Sequence, residues 1–195
     1  ICGSLALTPV IDLGNQYLQG SFIKPGKESP PIRSISTELV RCNPMVDEHA
    51  CGLLQTSISV PSEILYSSYW YRSGTNNTMR THLKNIADEA SQLIGKDNAV
   101  ILDIGCNDGT LMRNYPSKFE KYGVDPSDVA QEVKDDMTVV QDIFPSSELR
   151  KITKGKKFDI ITSIAMFYDL EDPTMFVKSI KESLDSEGIW IFEMS

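Results

Sequence analysis

The sequence predicts an α/β protein: a parallel sheet flanked by helices over residues 96–195, preceded by a small module of different texture. Three observations carry that expectation. Short apolar runs rich in β-branched residues recur at Ala99–Ile104, Tyr122–Val124, Met137–Gln141, Lys157–Ile164 and Gly188–Glu193, with polar or helix-patterned segments between them. Such alternation builds a parallel sheet with right-handed crossovers. The first run breaks at Gly105 and restarts after Gly109 in a helical pattern, the strand–turn–helix arrangement that receives ligands at the carboxyl end of a strand. Residues 1–60, by contrast, hold five prolines and three of the four cysteines, with little helical periodicity.

At 195 residues the chain can bury one good core and a small appended module. A net charge of −8 argues against nucleic-acid binding, which needs a basic face. No run approaches the roughly 18 apolar residues of a membrane span, and no secretory signal pattern is visible. Four cysteines in a core-rich chain point to a reducing compartment, the cytoplasm by default, and to metal or structural roles.

In chain order, residues 1–60 give strand-like pieces at Leu5–Leu13, Glu38–Arg41 and Gly52–Ser59, joined by polar loops, notably Lys24–Pro31. So few apolar residues make a weak core, and modules of this size usually need a staple. Cys2, Cys42 and Cys51 offer thiolates for tetrahedral zinc; three unliganded thiols are the alternative. Residues 61–75 follow with the densest aromatic cluster, including Tyr66, Tyr69, Trp70 and Tyr71. Rings with polar tips suit a lid over a ligand, and equally a linker that packs. Asn77–Ile94 predicts a helix, with Met79, Leu83, Ile86, Ala87, Ala90, Leu93 and Ile94 on one stripe and Gly95 as the stop. His82 beside that stripe reads as structural. Residues 61–95 thus form a linker and helix ahead of the sheet.

In the turn Gly105-Cys106-Asn107-Asp108-Gly109, glycine lets the chain bend sharply and a ligand approach the backbone. Asp103 at the strand end is placed to hold the turn or meet a cationic group. Twenty residues beyond Gly105, Asp125 ends the second strand, where a carboxylate accepts two hydrogen bonds from a ribose diol. The turn lacks G-x-G-x-x-G, which disfavours a nicotinamide dinucleotide and favours a nucleoside cofactor without a pyrophosphate on the helix. S-adenosylmethionine fits. Beyond it come a short helix at Ser127–Lys134, then Ala165-Met166-Phe167 at the end of the fourth strand, placed to flank a cofactor. Asp172-Pro173 reads as cap and first-turn proline of another helix.

Asp103-Ile-Gly-Cys-Asn-Asp-Gly-Thr110 followed by Gly123-Val-Asp-Pro-Ser127 resembles the class I S-adenosylmethionine-dependent methyltransferases. More narrowly it is similar to the zinc-binding sugar C-methyltransferases, which read Ile-Gly-x-Asn-Asp-Gly-Thr here. The likeness extends to Leu13-Gly-Asn-Gln16 and to Tyr69-Trp-Tyr71-Arg-Ser73-Gly74. It implies a Rossmann-like sheet in the order 3-2-1-4-5 with a small amino-terminal zinc-binding module. It implies a cofactor site of Asp103, Gly105, Cys106, Asn107, Asp108, Gly109, Asp125, Pro126 and Met166, with Asp142 near the adenine. It implies Tyr69 and Tyr71 at the catalytic face, either acting as acid or base only with a lowered pKa. Cys2-Gly3 matches the end of the family's first Cys-x-x-Cys-Gly and Cys51-Gly52 the end of the second. An insertion separates Cys42 from Cys51, so His49 is a substitute ligand for Cys42. Tyr168 stands where some relatives place an active-site histidine.

The reaction implied is methyl transfer to a carbon of a nucleotide-linked deoxy-keto-sugar, a small-molecule substrate, after a base removes the proton beside the keto group. Alternatives are methylation of another small molecule, or a cofactor- or zinc-binding module that works with a partner. The chain begins at Ile1 rather than Met and stops after an apolar fifth strand, so it is expected to be the front part of a longer enzyme whose main base lies beyond residue 195.

Overall fold

The structure, a computed structural model, describes residues 1–18, 26, 33–66, 69, 71–133 and 137–194. Apart from Gly26, the expected Lys24–Pro31 loop lies outside them, as do Trp70 and the last residue of the expected 127–134 helix. The chain forms two compact units, Ile1–Leu65 and Tyr66–Ser195.

The first unit is an antiparallel sheet of β1 (Leu7–Tyr17), β2 (Ser34–Cys42) and β3 (Leu54–Thr56), in that order, followed by the short helix α1 (Ser62–Tyr66). β1 runs further than its apolar residues suggested, because Asn15, Gln16 and Tyr17 pair with Ser36, Ile35 and Ser34. Its described hydrophobic residues bury poorly: Val40, Cys42 and Ala50 are buried, while Leu7, Val10, Ile11, Leu13 and Tyr17 are exposed. A core of that size does not hold three strands against chain entropy.

The second unit begins with α2 (Asn77–Ile94), with the bounds its apolar stripe sets. The Asn76 side chain caps it by accepting the Thr78 N–H at 2.7 Å, and Gly95, at φ +60°, closes it in the left-handed conformation. Five parallel strands follow: β4 (Val100–Ile104), β5 (Glu120–Val124), β6 (Met137–Val140), β7 (Phe158–Ile164) and β8 (Leu184–Glu193). They lie in the order β6-β5-β4-β7-β8, which is 3-2-1-4-5 when the strands of this sheet are counted alone. Between them come α3 (Thr110–Arg113), α4 (Ser147–Ile152), which periodicity did not reveal, and α5 (Pro173–Ser183). The expected helix after Asp125 is a five-residue 3-10 turn, Asp128–Glu132. β8 starts at Leu184, directly at the end of α5, and its register jumps so that Leu184 faces Phe158 and Ile189 faces Ile160.

Both faces of the sheet are covered, so its strands read as unbroken apolar runs. Ile101 and Ile160 pack with Leu83, Ala87 and Ala90 of α2 on one face. Leu102 and Ile161 pack with Phe176 and Ile180 of α5 on the other. The carboxyl ends of β4, β5 and β7 therefore emerge side by side from a rigid floor. No described helix is long and apolar enough to cross a membrane.

Candidate functional site

The turn after β4 is built by two glycines in the left-handed region, Gly105 at φ +74° and Gly109 at φ +76°, with Asn107 at φ +50° between them. Glycine takes that conformation freely and asparagine tolerates it better than most residues. A Cβ on Gly105 would lie 3.5 Å from Met166 Cγ, so the side chain expected to flank a cofactor does face this turn. Thr110, Leu111 and Met112 of α3 are buried, while Arg113 at its end is exposed.

The N–H groups of Gly105, Asn107 and Gly109 are used within the protein. Gly105 N donates to Val124 O at 2.8 Å, Asn107 N to Asp125 Oδ2 at 2.8 Å, and Gly109 N to Cys106 O at 2.9 Å. The turn thus offers shape more than donors. Cys106 is also turned away: its Sγ would lie 2.7 Å from a Cβ on Gly123, and burial pushes its thiol pKa well up. Only its backbone borders the cradle.

Asp125 is buried at the end of β5, where its backbone N–H donates to Val140 O of β6 at 3.1 Å. Its carboxylate accepts from Asn107 N, and from Ser127 N at 2.8 Å and the Ser127 hydroxyl. Those three bonds aim it along the sheet's carboxyl edge. A carboxylate has about four acceptor sites, so room remains for a ligand hydroxyl. Pro126 O accepts from Gln141 Nε2 at 3.3 Å, and Asp142 accepts the Ile143 N–H at 2.8 Å, its side chain half-buried. Asp142 therefore already holds its own turn. Asp103 is buried beneath the turn and accepts the Thr162 hydroxyl at 2.6 Å. Desolvation raises its pKa to about 7; the Thr162 bond opposes that and the charge of Asp125 adds to it.

The segment Tyr71–Gly74 is strapped to the turn by three hydrogen bonds. Asn107 Nδ2 donates to Tyr71 O at 2.8 Å, and Ser73 N to Asn107 Oδ1 at 3.0 Å. Gly74 N donates to Asp108 Oδ2 at 2.9 Å, while a Cβ on Gly74 would stand 2.8 Å from the Thr110 hydroxyl. The Asn-Asp pair is thus the latch of the strap. Asn107→Gly keeps the turn's φ but removes both amide contacts, so the Ser73 amide should exchange about tenfold faster with deuterium, for a loss of roughly 1–2 kcal/mol. Unchanged exchange by mass spectrometry would show that the strap is held elsewhere.

Above the β7 end the tyrosines gather. Tyr69 has its ring 5.7 Å from Tyr66 and 6.2 Å from Tyr71, and the Tyr66 hydroxyl donates to Asp169. Burial pushes the pKa values of Tyr66 and Tyr69 up, with the Asp169 carboxylate adding to it at Tyr66. Tyr69 is therefore kept as a neutral hydrogen-bond donor, the opposite of what a phenolate base needs.

In the first unit, the antiparallel pairing of β2 and β3 brings Cys42 and Cys51 together, with Cys42 N donating to Leu53 O at 2.9 Å. The Sγ atoms of Cys2, Cys42 and Cys51 lie within 4.8 Å of one another, Cys2 and Cys42 at 3.5 Å. Zinc–thiolate bonds of about 2.3 Å need sulfurs roughly 3.8 Å apart, so the cluster fits a tetrahedral ion. His49 is not in this group; Cys42 is. The Ser4 backbone N–H and the neighbouring thiols lower the Cys2 pKa to about 7. In metal-free protein at neutral pH, Cys2 should alkylate fast and Cys106 not at all before unfolding. Zinc should slow Cys2, as peptide mapping after iodoacetamide would read; equal rates with and without zinc would count against the cluster.

Two features escaped the sequence reading. His82 Nε2 lies 2.6 Å from Glu193 Oε2, joining α2 to the end of β8. A cleft lined by three arginines opens beside the strap. Neither has a sequence signature, because both are made of residues far apart in the chain.

A family model described as "Methyltransferase domain" matches residues 75–195, and one described as "Putative zinc binding domain" matches residues 1–66. No curated protein matches the sequence. Among solved structures, the plantazolicin methyltransferase BpumL, in complex with a pentazolic desmethylPZN analog and SAH, is 18% identical at a TM-score of 0.50, over 62% of this chain and 49% of that one. A "putative s-adenosyl-l-methionine-dependent methyltransferase" from Methanococcus maripaludis is 18% identical at a TM-score of 0.51, over 63% of this chain and 60% of that one. The chain spans about half the length of the BpumL structures it matches, and these likenesses show the fold. Since the methyltransferase model covers more than half of the residues, including the turn, Asp125 and all five parallel strands, the chain belongs to the methyltransferase-domain family.

Proposed function

We propose that residues 66–195 bind S-adenosylmethionine and serve its transfer of a methyl group to a small molecule. The observation that carries this is the cradle at the sheet's carboxyl edge: a Cβ-free turn at Gly105, Met166 facing it, and Asp125 held at the end of the next strand. S-adenosylmethionine, when bound, supplies an electrophilic methyl on a sulfonium. Asp125 takes a ribose hydroxyl, Asp103 sets a negative charge in a dry floor beneath a cationic ligand, and Gly109 and Pro126 shape the walls. Asp142 lies toward the nucleoside base. The strap, with Tyr69 and Tyr71, shields the reacting centre from water and orients the acceptor by donated hydrogen bonds.

The acceptor we favour is a nucleotide-linked deoxy-keto-sugar methylated at carbon, which rests on the resemblance of the turn and strap to the zinc-binding sugar C-methyltransferases. Fold and cofactor do not choose a substrate. Cys2, Cys42 and Cys51 hold a structural zinc that staples a unit with too small a core, and a reducing cytoplasm keeps those thiols available. Calorimetry with S-adenosylhomocysteine and with NADH tests the cofactor: binding of the first alone is expected. Binding of NADH alone, or of neither, would overturn the reading. Elemental analysis should give about one zinc per chain, and none would remove the metal.

A further inference from the structure

Among the described residues, the Tyr115 hydroxyl is a buried side-chain polar group with no hydrogen-bond partner in the protein. Tyr115 lies just past α3 and is 3% exposed. Its ring stacks on Phe119 at 6.2 Å and belongs to the cluster that holds Leu83, Ala87 and Ile101. Phenylalanine would fill the same space without burying an unbonded hydroxyl, so packing alone does not account for this oxygen.

Asp103 shares the compartment. Side chains alternate along a strand, so Asp103 stands on the face of β4 that carries Ile101, while Leu102 and Ile104 pack on the other face. Asp103 is as buried as Tyr115. Burial pushes the Tyr115 pKa up and the field of the Asp103 charge adds to it, with no other charged group contributing. Around the carboxyl group, the Thr162 hydroxyl of β7 donates to Oδ1 at 2.6 Å, its one hydrogen bond among the described residues. Asp125 at the end of β5 is a like charge. The Cys106 thiol is pushed up by burial and then by both carboxylates, and α2 presents Leu83, Ala87 and Ala90. A carboxyl with one oxygen engaged and a hydroxyl with no bond thus lie on one dry face, and no direct bond joins them.

We propose that Tyr115 is a positioning residue for the charge on Asp103, acting through a buried water held between its hydroxyl and the second carboxyl oxygen. Only the identity of the cationic ligand rests on the methyltransferase reading. A hydroxyl and a water each donate and accept, which suits a carboxyl that changes its protonation state. With Asp103 neutral, the acid O–H donates to the water and the water donates to Tyr115 Oη. With Asp103 ionised, Tyr115 donates to the water and the water donates to the carboxylate. The proton goes to solvent and the two bonds reverse direction, so neither side chain has to move. A buried water needs at least two polar partners, and here two stand on otherwise apolar walls.

The test follows the Asp103 carboxyl carbon by NMR through a pH titration of the ligand-free full chain, parent against Tyr115→Phe, with circular dichroism to confirm the fold. The midpoint in Tyr115→Phe should lie about one pH unit higher, a tenfold change in proton affinity. Calorimetry should find S-adenosylmethionine binding about tenfold weaker in the variant at pH 6 and equal to the parent at pH 9, with adenosine binding unchanged at both. A high-resolution crystal structure of the parent should show the water within hydrogen-bond distance of both side chains, and this decides the matter should the variant not fold. An unmoved midpoint, a compartment without that water, or an affinity loss of the same size at every pH would overturn the proposal. A midpoint that moves in a chain binding neither S-adenosylmethionine nor adenosine would support the role of Tyr115 and sink the cofactor reading.

Discussion

Asp125→Ala is expected to lower the affinity for S-adenosylhomocysteine by about a hundredfold, the largest loss from any single substitution in the cradle. Two effects add. A hydrogen bond to a charged acceptor contributes roughly 1.5–3 kcal/mol, and losing the ribose contact alone approaches 3 kcal/mol, about a hundredfold in affinity. The Asn107 and Ser127 N–H groups, now served by this carboxylate, also lose their acceptor, so the turn itself loosens. Asp125→Asn retains one acceptor oxygen and should fall between, near tenfold. Calorimetry reads the affinity and circular dichroism confirms the fold. Undiminished binding in a folded Asp125→Ala chain would remove the sugar from this carboxylate and with it the proposed orientation of the cofactor.

The second large effect is on pH. Burial raises the pKa of Asp103 to about 7, above its ordinary 3.8. The folded state then holds this proton more tightly than the unfolded state. The stability due to that group is fully present below about pH 4 and is lost as pH rises through about 7. A cationic ligand reverses the preference, because it favours the ionised carboxylate beneath the turn. S-adenosylmethionine should therefore bind about tenfold more tightly at pH 8 than at pH 6, releasing a proton at the lower pH. Adenosine, which is uncharged, should show a flat profile over the same range. Asp103→Asn should bind S-adenosylmethionine more weakly and without the pH slope. A slope that survives Asp103→Asn would assign the titration to another group.

Why some of this could be read from residue order and some could not has a physical basis. Strands buried on both faces announce themselves as unbroken apolar runs, and α2 by a stripe that three- and four-residue spacing makes visible. Its bounds, Asn77–Ile94, follow from a capping asparagine and a left-handed glycine, both local signals. The glycine turn and Asp125 are local too. The position of Cys42 was ambiguous because eight residues separate it from Cys51 in sequence; antiparallel pairing of β2 with β3 erases that distance. The internal use of the turn's N–H groups, the inward rotation of Cys106, the Asn107–Asp108 latch and the meeting of His82 with Glu193 depend on contacts between distant residues. No periodicity encodes them. α4 was missed because six residues make too little of a stripe to register against loop-like neighbours.

The latch has one more implication, for the tolerance of α2 to insertions and deletions. Both flanks of this 18-residue helix are pinned: the segment before it by Asn107 and Asp108, and the residue after Gly95 by the Lys96–Asp159 pair, whose other oxygen accepts the Val100 N–H at 2.7 Å. Adding or deleting one residue turns the helix by about 100° and shifts it by about 1.5 Å. Either the apolar stripe then leaves the sheet or one of the two moorings parts. Related chains should accordingly vary in the length of their loops while keeping the register of this helix, and a single-codon deletion within it should be far more harmful than any exposed side-chain change along its length.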